Sequence, residues 1–152
     1  MTDAPAWRER FLTAYESART GGDTAGLAGF LADDLRLEDP QLPGGTGTKA
    51  DLLRLTGDLV AGCRRLTVRR HGPLCVSADG RSFAQRWFVE AEPAAPDTGA
   101  GEPPRVARVE TFESFSCAGE LVTAVAIFVR DLRAAGAAGP AEPRRARDTA
   151  AV

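Results

Sequence analysis

Hydrophobic residues near the start of the chain recur every three to four positions, which is the spacing of one helix face. Trp7, Phe11 and Ala18 follow this spacing and predict an amphipathic helix over about residues 5–20. Tyr15 lies beside the apolar stripe, and a glycine pair then ends the helix. The chain is therefore expected to begin with a helix that turns one face towards a core.

A second helix is predicted directly after the first. Asp23 is a suitable N-cap, and the buried face of the helix is expected to include Phe30 and Leu31. The helix is expected to end at Asp33-Asp34, before a short alternating strand over residues 35–37.

A capping pattern predicts the third helix. Thr48 followed by Asp51 resembles a capping box, in which each side chain bonds to the backbone of the other residue. The helix is expected over about residues 49–62, with an apolar stripe that includes Leu55.

From Leu66 onward the apolar period shortens to about two, which is the pattern of strands. Asp79-Gly80 is a strong hairpin signal, and residues 92–104 form a predicted loop rich in Pro, Ala and Gly. Arg86 is expected to lie on the opposite face from Trp87 and to have a structural role there. The predicted strands cover residues 66–68 and 74–76, 83–90, 106–115 and 121–129.

Helices followed by meandering strands indicate the α+β class. We expect three N-terminal helices packed on a curved, mostly antiparallel sheet, forming a cone around an apolar cavity. Residues 1–133 are predicted to form a single domain, and residues 134–152 a weakly ordered tail. The strand 121–129 is apolar on both faces, so its second face needs a cover. A homodimer partner is expected there, and the alternative is that the tail folds back.

Composition and charge exclude several classes of protein. The net charge of −2 gives no drive towards nucleic acid, and no apolar run approaches the roughly 18 residues that span a membrane. The start of the chain lacks the basic and then apolar pattern of a secretory signal. The three cysteines are widely spaced and suggest neither a metal site nor a disulfide framework, so a cytoplasmic protein is expected.

A set of short motifs gives the chain a recognisable pattern. The motifs are Tyr15, Gly22-Asp23, Leu27, Phe30-Leu31-Ala32-Asp33-Asp34, Glu38-Asp39-Pro40, Gly47-Thr48 and Gly119-Glu120-Leu121-Val122. Together they resemble the nuclear transport factor 2-like superfamily, and within it the ketosteroid isomerase and SnoaL-like cyclase branch. The resemblance extends to about Val129. It implies the fold more specifically than the reaction, because this fold hosts isomerases, cyclases, epoxide hydrolases, dehydratases and binding modules.

The resemblance implies roles for three polar residues. Asp39 resembles the general base of the isomerase, and Pro40 favours an extended backbone that places Asp39 at a strand end. Tyr15, the only tyrosine of the chain, resembles the tyrosine that donates a hydrogen bond to the oxyanion. Glu110 matches the protonated acid of the isomerase if one extra residue is allowed, and otherwise Thr111 takes that position.

An apolar cavity would suit these roles, because desolvation raises the pKa of a carboxylic acid towards neutrality. The residues expected to line the cavity are Trp87, Val89, Phe83, Leu55, Phe112 and Phe128. The predicted function is isomerisation or cyclisation of an apolar polyketide- or steroid-like substrate by acid–base chemistry, without metal or organic cofactor. Natural-product pathways such as antibiotic biosynthesis are the expected setting.

Two alternatives stay open. Epoxide hydrolysis would require Arg86 to point into the cavity beside two carboxylates. A non-catalytic ligand-binding or dimerisation module would use the same cavity without chemistry.

Overall fold

A computed structural model describes residues 4–94 and 106–132 of the chain. Its helices are α1 (Ala4–Gly21), α2 (Thr24–Ala28) and α3 (Lys49–Ala61), with a short 3₁₀ turn at Pro43–Gly45. Its strands are β1 (Leu31–Glu38), β2 (Thr46–Thr48), β3 (Cys63–Val76), β4 (Ser82–Pro93), β5 (Ala107–Ala118) and β6 (Leu121–Asp131).

The six strands form one sheet in the order β2-β1-β6-β5-β4-β3. β1 runs parallel to β6, whereas the other neighbouring strands are antiparallel. α1 contacts α3, and α3 also contacts β1, so the helices gather on one face of the sheet. The predicted α+β class, with three helices on a curved and mostly antiparallel sheet, is confirmed.

The ends of the long helices follow from the local sequence. Gly22 adopts a positive φ of 79° after α1, and its N–H donates to the carbonyl oxygen of Ala18 over 2.9 Å. At the start of α3, the Thr48 side chain accepts from the Asp51 N–H while the Asp51 carboxylate accepts from the Thr48 N–H. The predicted capping box is therefore present, and it fixes the direction in which α3 leaves the sheet.

The second helix is shorter than the sequence predicted. α2 ends at Ala28, and Leu31 begins β1 instead of completing a helical face. In β1 two buried residues are followed by two exposed ones, Asp33 and Asp34, and the pairing with β6 shifts register between Leu31 and Arg36. This irregularity hides the alternation of a strand, so the pattern looked helical at its start.

The third strand is longer than predicted. The two short segments expected on either side of Gly72-Pro73 belong to one strand, β3. Its pairing with β4 is irregular between His71 and Cys75, and Gly72 takes a positive φ of 78°. A proline is tolerated here because β3 is at the edge of the sheet, where an N–H on the open side needs no partner.

An aromatic cluster fills much of the space between α1 and the sheet. Three of its members recur every four residues along α1, and the others come from inward positions of β4 and β5. They are Trp7, Phe11, Tyr15, Phe83, Trp87 and Phe115. Ring centroids lie 5.0 Å apart for Phe11 and Phe115, and 5.7 Å apart for Tyr15 and Trp87. The aromatic side chains thus pack the space between α1 and this part of the sheet, and Tyr15 is the member of the cluster that also lines the hollow described below.

Part of the prediction falls outside the described residues. These are the tail at residues 134–152 and most of the loop at residues 92–104, so the domain boundary at residue 133 stays a prediction. Within the described ranges, the helices include none that is long and apolar enough to cross a membrane.

Candidate active site

A small hollow lies between α3 and the ends of β1, β5 and β6. It encloses about 90 Å³, and its wall combines a few polar side chains with aliphatic ones. The lining residues are Tyr15, Arg19, Asp39, Gln41, Leu52, Leu55, Thr56, Leu59, Thr111, Ile127 and Val129. The volume equals about three water molecules at roughly 30 Å³ each. The hollow can therefore hold the reacting end of a ligand, while the rest lies at the mouth.

Tyr15 is placed in the wall by the middle of α1. Only 1% of the residue is exposed, and its ring packs against Phe115 at 5.3 Å between centroids. Burial raises the pKa of the Tyr15 phenol well above its ordinary value, and the nearby charge of Glu113 raises it further. The group is therefore a neutral phenol at physiological pH, which can donate a hydrogen bond but is not a base.

Asp39 reaches the same wall from the residue that follows β1. It is 5% exposed, and its Oδ1 accepts the backbone N–H of Gln41 over 2.8 Å, in the turn that an aspartate favours. The N–H of Asp39 donates to the carbonyl oxygen of Gly45 over 3.0 Å, which fixes the backbone. The structure thus brings Asp39 and Tyr15 to one hollow, whereas their chemical roles stay predictions.

A buried ion pair beside Tyr15 was not predicted from the sequence. Arg19, one helical turn after Tyr15, donates from Nη1 to Oε1 of Glu113 over 2.6 Å. Thr111 donates its hydroxyl proton to the same Oε1 over 2.7 Å. Arg19 is 8% exposed and Glu113 is fully buried. Although burial alone lowers the pKa of Arg19, the Glu113 carboxylate holds that pKa above its ordinary value.

Two buried polar atoms near this pair have no hydrogen-bond partner within the described ranges. They are Oε2 of Glu113 and Nε1 of Trp87. Leaving such an atom unpaired costs about 1–3 kcal/mol, so native proteins contain few of them. The clustering of unpaired atoms beside the hollow is typical of a site that exchanges hydrogen bonds with a ligand or a water molecule.

Three predicted site residues lie on the other face of the sheet. Because strand residues alternate, Thr111 and Glu113 of β5 point inwards, so Glu110 and Phe112 point outwards. Phe128 pairs with Phe112 across β6, and the two residues are 58% and 42% exposed. The expectation that Glu110, Phe112 and Phe128 face the cavity is wrong, and Thr111 takes the inward position instead.

Glu110 has a different environment from the one expected. Its Oε1 lies 3.4 Å from Nη1 of Arg86, and its Oε2 lies 4.0 Å from Nη1 of Arg130. Arg86 is thus on the outer face, as its parity predicted, and takes no part in the hollow. Epoxide hydrolysis with Arg86 in the cavity is therefore not supported.

The remaining predicted lining residues divide into two groups. Leu55 lines the hollow itself. Trp87, Val89 and Phe83 point inwards and are buried, but they pack within the core and do not form the wall. Trp87 is adjacent to the site, since its ring centroid lies 5.7 Å from the guanidinium carbon of Arg19.

Metal ligands do not gather at this site. Residues 4–94 and 106–132 contain no group of three or more His, Cys, Asp or Glu side chains that could hold a metal ion. The expectation that the chemistry needs no metal or organic cofactor stays a prediction.

Several solved structures have the same arrangement of helices and sheet. A nuclear transport factor 2-like protein from Anabaena variabilis has a TM-score of 0.68 at 9% identity, over 86% of this chain and 95% of that one. SalBIII, an epoxide hydrolase/cyclase-like enzyme with a role in pyran ring formation in the polyether salinomycin, has a TM-score of 0.63 at 16% identity, over 86% and 95%. A Xanthomonas campestris protein provisionally named a polyketide cyclase has a TM-score of 0.65 at 15% identity, over 87% and 96%.

Comparison of sequences identifies no relative of this chain. No protein-family profile matches the chain, and no curated protein matches it. The chain has the nuclear transport factor 2-like fold, as the resemblance implied, and at these identities the likeness shows the fold alone.

Proposed function

We propose that this protein is an isomerase or cyclase that acts on the oxygen-bearing end of an apolar small molecule. The observation that supports this best is the convergence of Asp39 and Tyr15 on one small hollow with aliphatic walls. Asp39 comes from a strand end and Tyr15 from a helix, so their meeting is a property of the tertiary fold. A carboxylate and a phenol in a water-poor site are the groups needed to move a proton next to a carbonyl.

Asp39 would remove a proton from the carbon next to the carbonyl group. One Asp39 oxygen is held by the Gln41 N–H, which orients the carboxylate without neutralising it. The electron pair of the broken C–H bond moves to the carbonyl oxygen, where a donor such as the Tyr15 hydroxyl stabilises the negative charge. Return of the proton to another carbon completes an isomerisation. In a ring closure the enolate carbon instead attacks a second carbonyl carbon, and the oxygen of that carbonyl takes up the proton from Asp39. A positioned acid–base group contributes about 10²–10⁴-fold in rate.

The size and polarity of the hollow limit the substrate. Pockets that enclose a drug-sized ligand measure about 300–1,000 Å³, whereas this hollow encloses about 90 Å³. A polyketide- or steroid-like molecule would thus insert only its reacting end. The rest would lie against Leu55, Leu59 and Val129, and Val129 is 41% exposed at the mouth. The provisionally named polyketide cyclase and the cyclase-like SalBIII among the neighbours support a polyketide-like substrate. A role in antibiotic biosynthesis is part of the proposal.

Epoxide opening is the second candidate, and one observation favours it. Arg19 replaces the misplaced Arg86, because it lines the hollow, is paired with Glu113 and is influenced by the charge of Asp39. A carboxylate could take a proton from water while the water oxygen attacks an epoxide carbon and the C–O bond breaks. The released epoxide oxygen then takes up that proton, which gives the diol. The epoxide hydrolase/cyclase-like neighbour supports this reading.

Two small probes of similar size separate the candidates. Cyclohex-3-enone reports proton transfer, because its double bond moves into conjugation and absorbs in the ultraviolet. Cyclohexene oxide reports hydrolysis, because it yields a diol. Asp39→Asn keeps an oxygen that can accept the Gln41 N–H and removes the base, so it should lower enone isomerisation at least 100-fold.

The matched control is Asp34→Asn, which changes an exposed aspartate on the preceding strand and should leave the rate unchanged. Diol formation without isomerisation would replace the first candidate by the second. Binding of both probes without turnover of either would identify a ligand-binding module.

We also propose that the protein forms a homodimer through the outer face of the sheet. The exposed rings of Phe112 and Phe128 project from this face, 6.4 Å apart between centroids. Beside them lies a depression of about 480 Å³, whose floor is formed by small residues such as Ser114, Ala124 and Ala126. In a two-fold dimer the same patch of both copies meets, so the aromatic pair of one copy can fit into the depression of the other.

The charges of this face fit the same occupant. Glu110 lies between Arg86 and Arg130, so the patch carries both signs and can match a second copy of itself. Phe128→Glu should convert a dimer into a monomer in sedimentation velocity. Val76→Glu, at a residue that is 43% exposed on β3, is the control and should leave the dimer intact. Equal sedimentation of the wild type and Phe128→Glu would reject this interface.

The cytoplasm remains the proposed compartment, on the sequence argument from the three cysteines.

A further inference from the structure

Arg19 is the only cation in the wall of the hollow among the described residues. Its guanidinium carbon lies 5.3 Å from the ring centroid of Tyr15 and 5.7 Å from that of Trp87, so the charge is held between two aromatic faces. Its partner Glu113 is fully buried. Exchange of a buried ion pair for apolar residues is often neutral or stabilising, so packing alone does not explain this pair.

The hydrogen bonds of Arg19 leave donors available. A guanidinium carries five N–H donors, and the bond to Glu113 uses only Nη1. Within residues 4–94 and 106–132 no other side chain or carbonyl oxygen accepts a hydrogen bond from it. None of its nitrogens is both fully buried and unpaired there, which means that the remaining N–H groups reach the hollow. They can therefore donate to a ligand.

Tyr15 is a weaker candidate for the same task. A phenol has one proton to donate, and Oε2 of Glu113 is an unpaired acceptor in the same buried region. A proton given to Glu113 is not available to a substrate. Arg19 has more donors than Glu113 can use, because Oε1 is already bonded to Arg19 and Thr111 and Oε2 could accept only part of the remaining N–H groups.

We propose that Arg19 is a catalytic residue that binds the reacting oxygen of the substrate and stabilises its negative charge, while Glu113 positions the guanidinium. This inference rests on the proposed function, in which Asp39 removes the proton. The C–H bond breaks, Asp39 gains the proton, and the electron pair ends on the carbonyl oxygen beside Arg19. No oxidant or further reactant is needed.

The charges of the site agree with this step. The formal charges of two carboxylates, Asp39 and Glu113, and one guanidinium, Arg19, sum to −1, and the sum stays −1 when the charge moves from Asp39 to the substrate oxygen. A ligand that is already anionic would raise the total to −2 in a poorly solvated hollow. The site therefore favours neutral ketones and aldehydes over carboxylates as substrates, and it favours an oxyanion only when Asp39 is neutral.

The test uses 4-nitrophenol as the probe, because its phenolate absorbs visible light and the neutral phenol does not. Asp39→Asn mimics the protonated base, and it should bind the phenolate and lower the pKa of the bound probe. Adding Arg19→Gln should weaken phenolate binding about 10–100-fold, as expected for the loss of a hydrogen bond from a charged donor. Adding Arg86→Gln instead changes an arginine on the outer face and should have no effect.

Circular dichroism shows whether each variant is folded. If Arg19→Gln does not fold, Arg19→Gln with Glu113→Gln removes both charges and leaves no isolated buried carboxylate. Arg19→Lys keeps a cation and should retain phenolate binding within about tenfold. These variants separate an effect on binding from an effect on stability.

Equal phenolate binding by the Arg19→Gln and Arg86→Gln variants would overturn the inference, and so would failure of Asp39→Asn to bind the phenolate. Neither result touches the proposed function, which fails separately if Asp39→Asn still isomerises the enone. Weaker phenolate binding after Arg19→Gln, with binding unchanged after Arg86→Gln, supports the inference.

Discussion

The single tyrosine makes an alkaline titration a direct test of the site. Tyr15 is the only tyrosine of the chain, so the phenolate absorbance near 295 nm comes from one group. Burial raises the pKa of this phenol well above its ordinary value, and the charge of Glu113 adds to the effect. We expect the native protein to show no phenolate signal as the pH passes 10, where an exposed tyrosine would be half ionised.

The same shift makes stability depend on pH, with a defined sign. The pKa of the folded state is above the unfolded value of about 10, so the folded protein keeps the proton when the unfolded chain loses it. This stability is fully present below pH 10 and decreases as the pH rises further. While the folded phenol stays protonated, the free energy of unfolding falls by about 1.4 kcal/mol per pH unit.

Urea unfolding between pH 8 and pH 11 measures this slope, and Tyr15→Phe provides the reference because it has no phenol. The difference between the two slopes isolates Tyr15 from other groups that titrate in this range. Glu113→Gln should lower the pKa of the native phenol, whereas Glu110→Gln on the outer face of the same strand should not. A phenolate signal with a midpoint near pH 10 in a protein with native circular dichroism would refute the buried position of Tyr15.

Three further predictions concern stability in urea. Arg19→Met should lower the free energy of unfolding by about 3–5 kcal/mol, because it leaves a buried carboxylate unpaired. Adding Glu113→Leu should recover at least half of that loss. If the double variant instead loses the sum of the two single losses, the two residues are not coupled. Thr111→Val keeps the shape and removes the donor to Glu113, so it should cost about 1–3 kcal/mol, and a change below 0.5 kcal/mol (a roughly neutral result) would reject this bond as a contributor. Thr48→Ala removes the capping oxygen of α3 and should cost about 1 kcal/mol without changing the urea m-value. Thr46→Ala, at an exposed threonine of the same short strand, spares that oxygen and serves as the comparison.

Much of the fold could be predicted because local sequence and final structure agree. The spacing of Trp7 and Phe11, the capping box at Thr48 and the alternation around Trp87 each reappear as the expected element. The prediction was wrong where tertiary pairing overrides the local pattern. Leu31 continues an apolar helical stripe in the sequence, but pairing with Val122 of β6 makes it the start of a strand.

The candidate site was predicted only in part, for a related reason. Asp39 and Tyr15 follow from motifs that are local in sequence. The pair of Arg19 and Glu113 joins residues that are 94 positions apart, and charged residues are seldom fully buried. The alternation of β5 does carry a signal, since Glu113 shares a face with buried Phe115. This alternation predicts that Glu113 points inwards and Glu110 outwards. It does not indicate that Arg19 is the partner that compensates the buried charge of Glu113.

The parallel pairing of β1 with β6 ties the assembly of the site to the order in which the chain is synthesised. β1 leads into Asp39, and its inner neighbour in the sheet is the last strand of the described chain. A nascent polypeptide that has not yet released β6 from the ribosome can form its helices and pair β1 with the short β2, but the Asp39 strand still lacks its long parallel neighbour. The acid and the phenol would then meet only after β6 has been made, so a product truncated before β6 would carry both residues and no functional pocket.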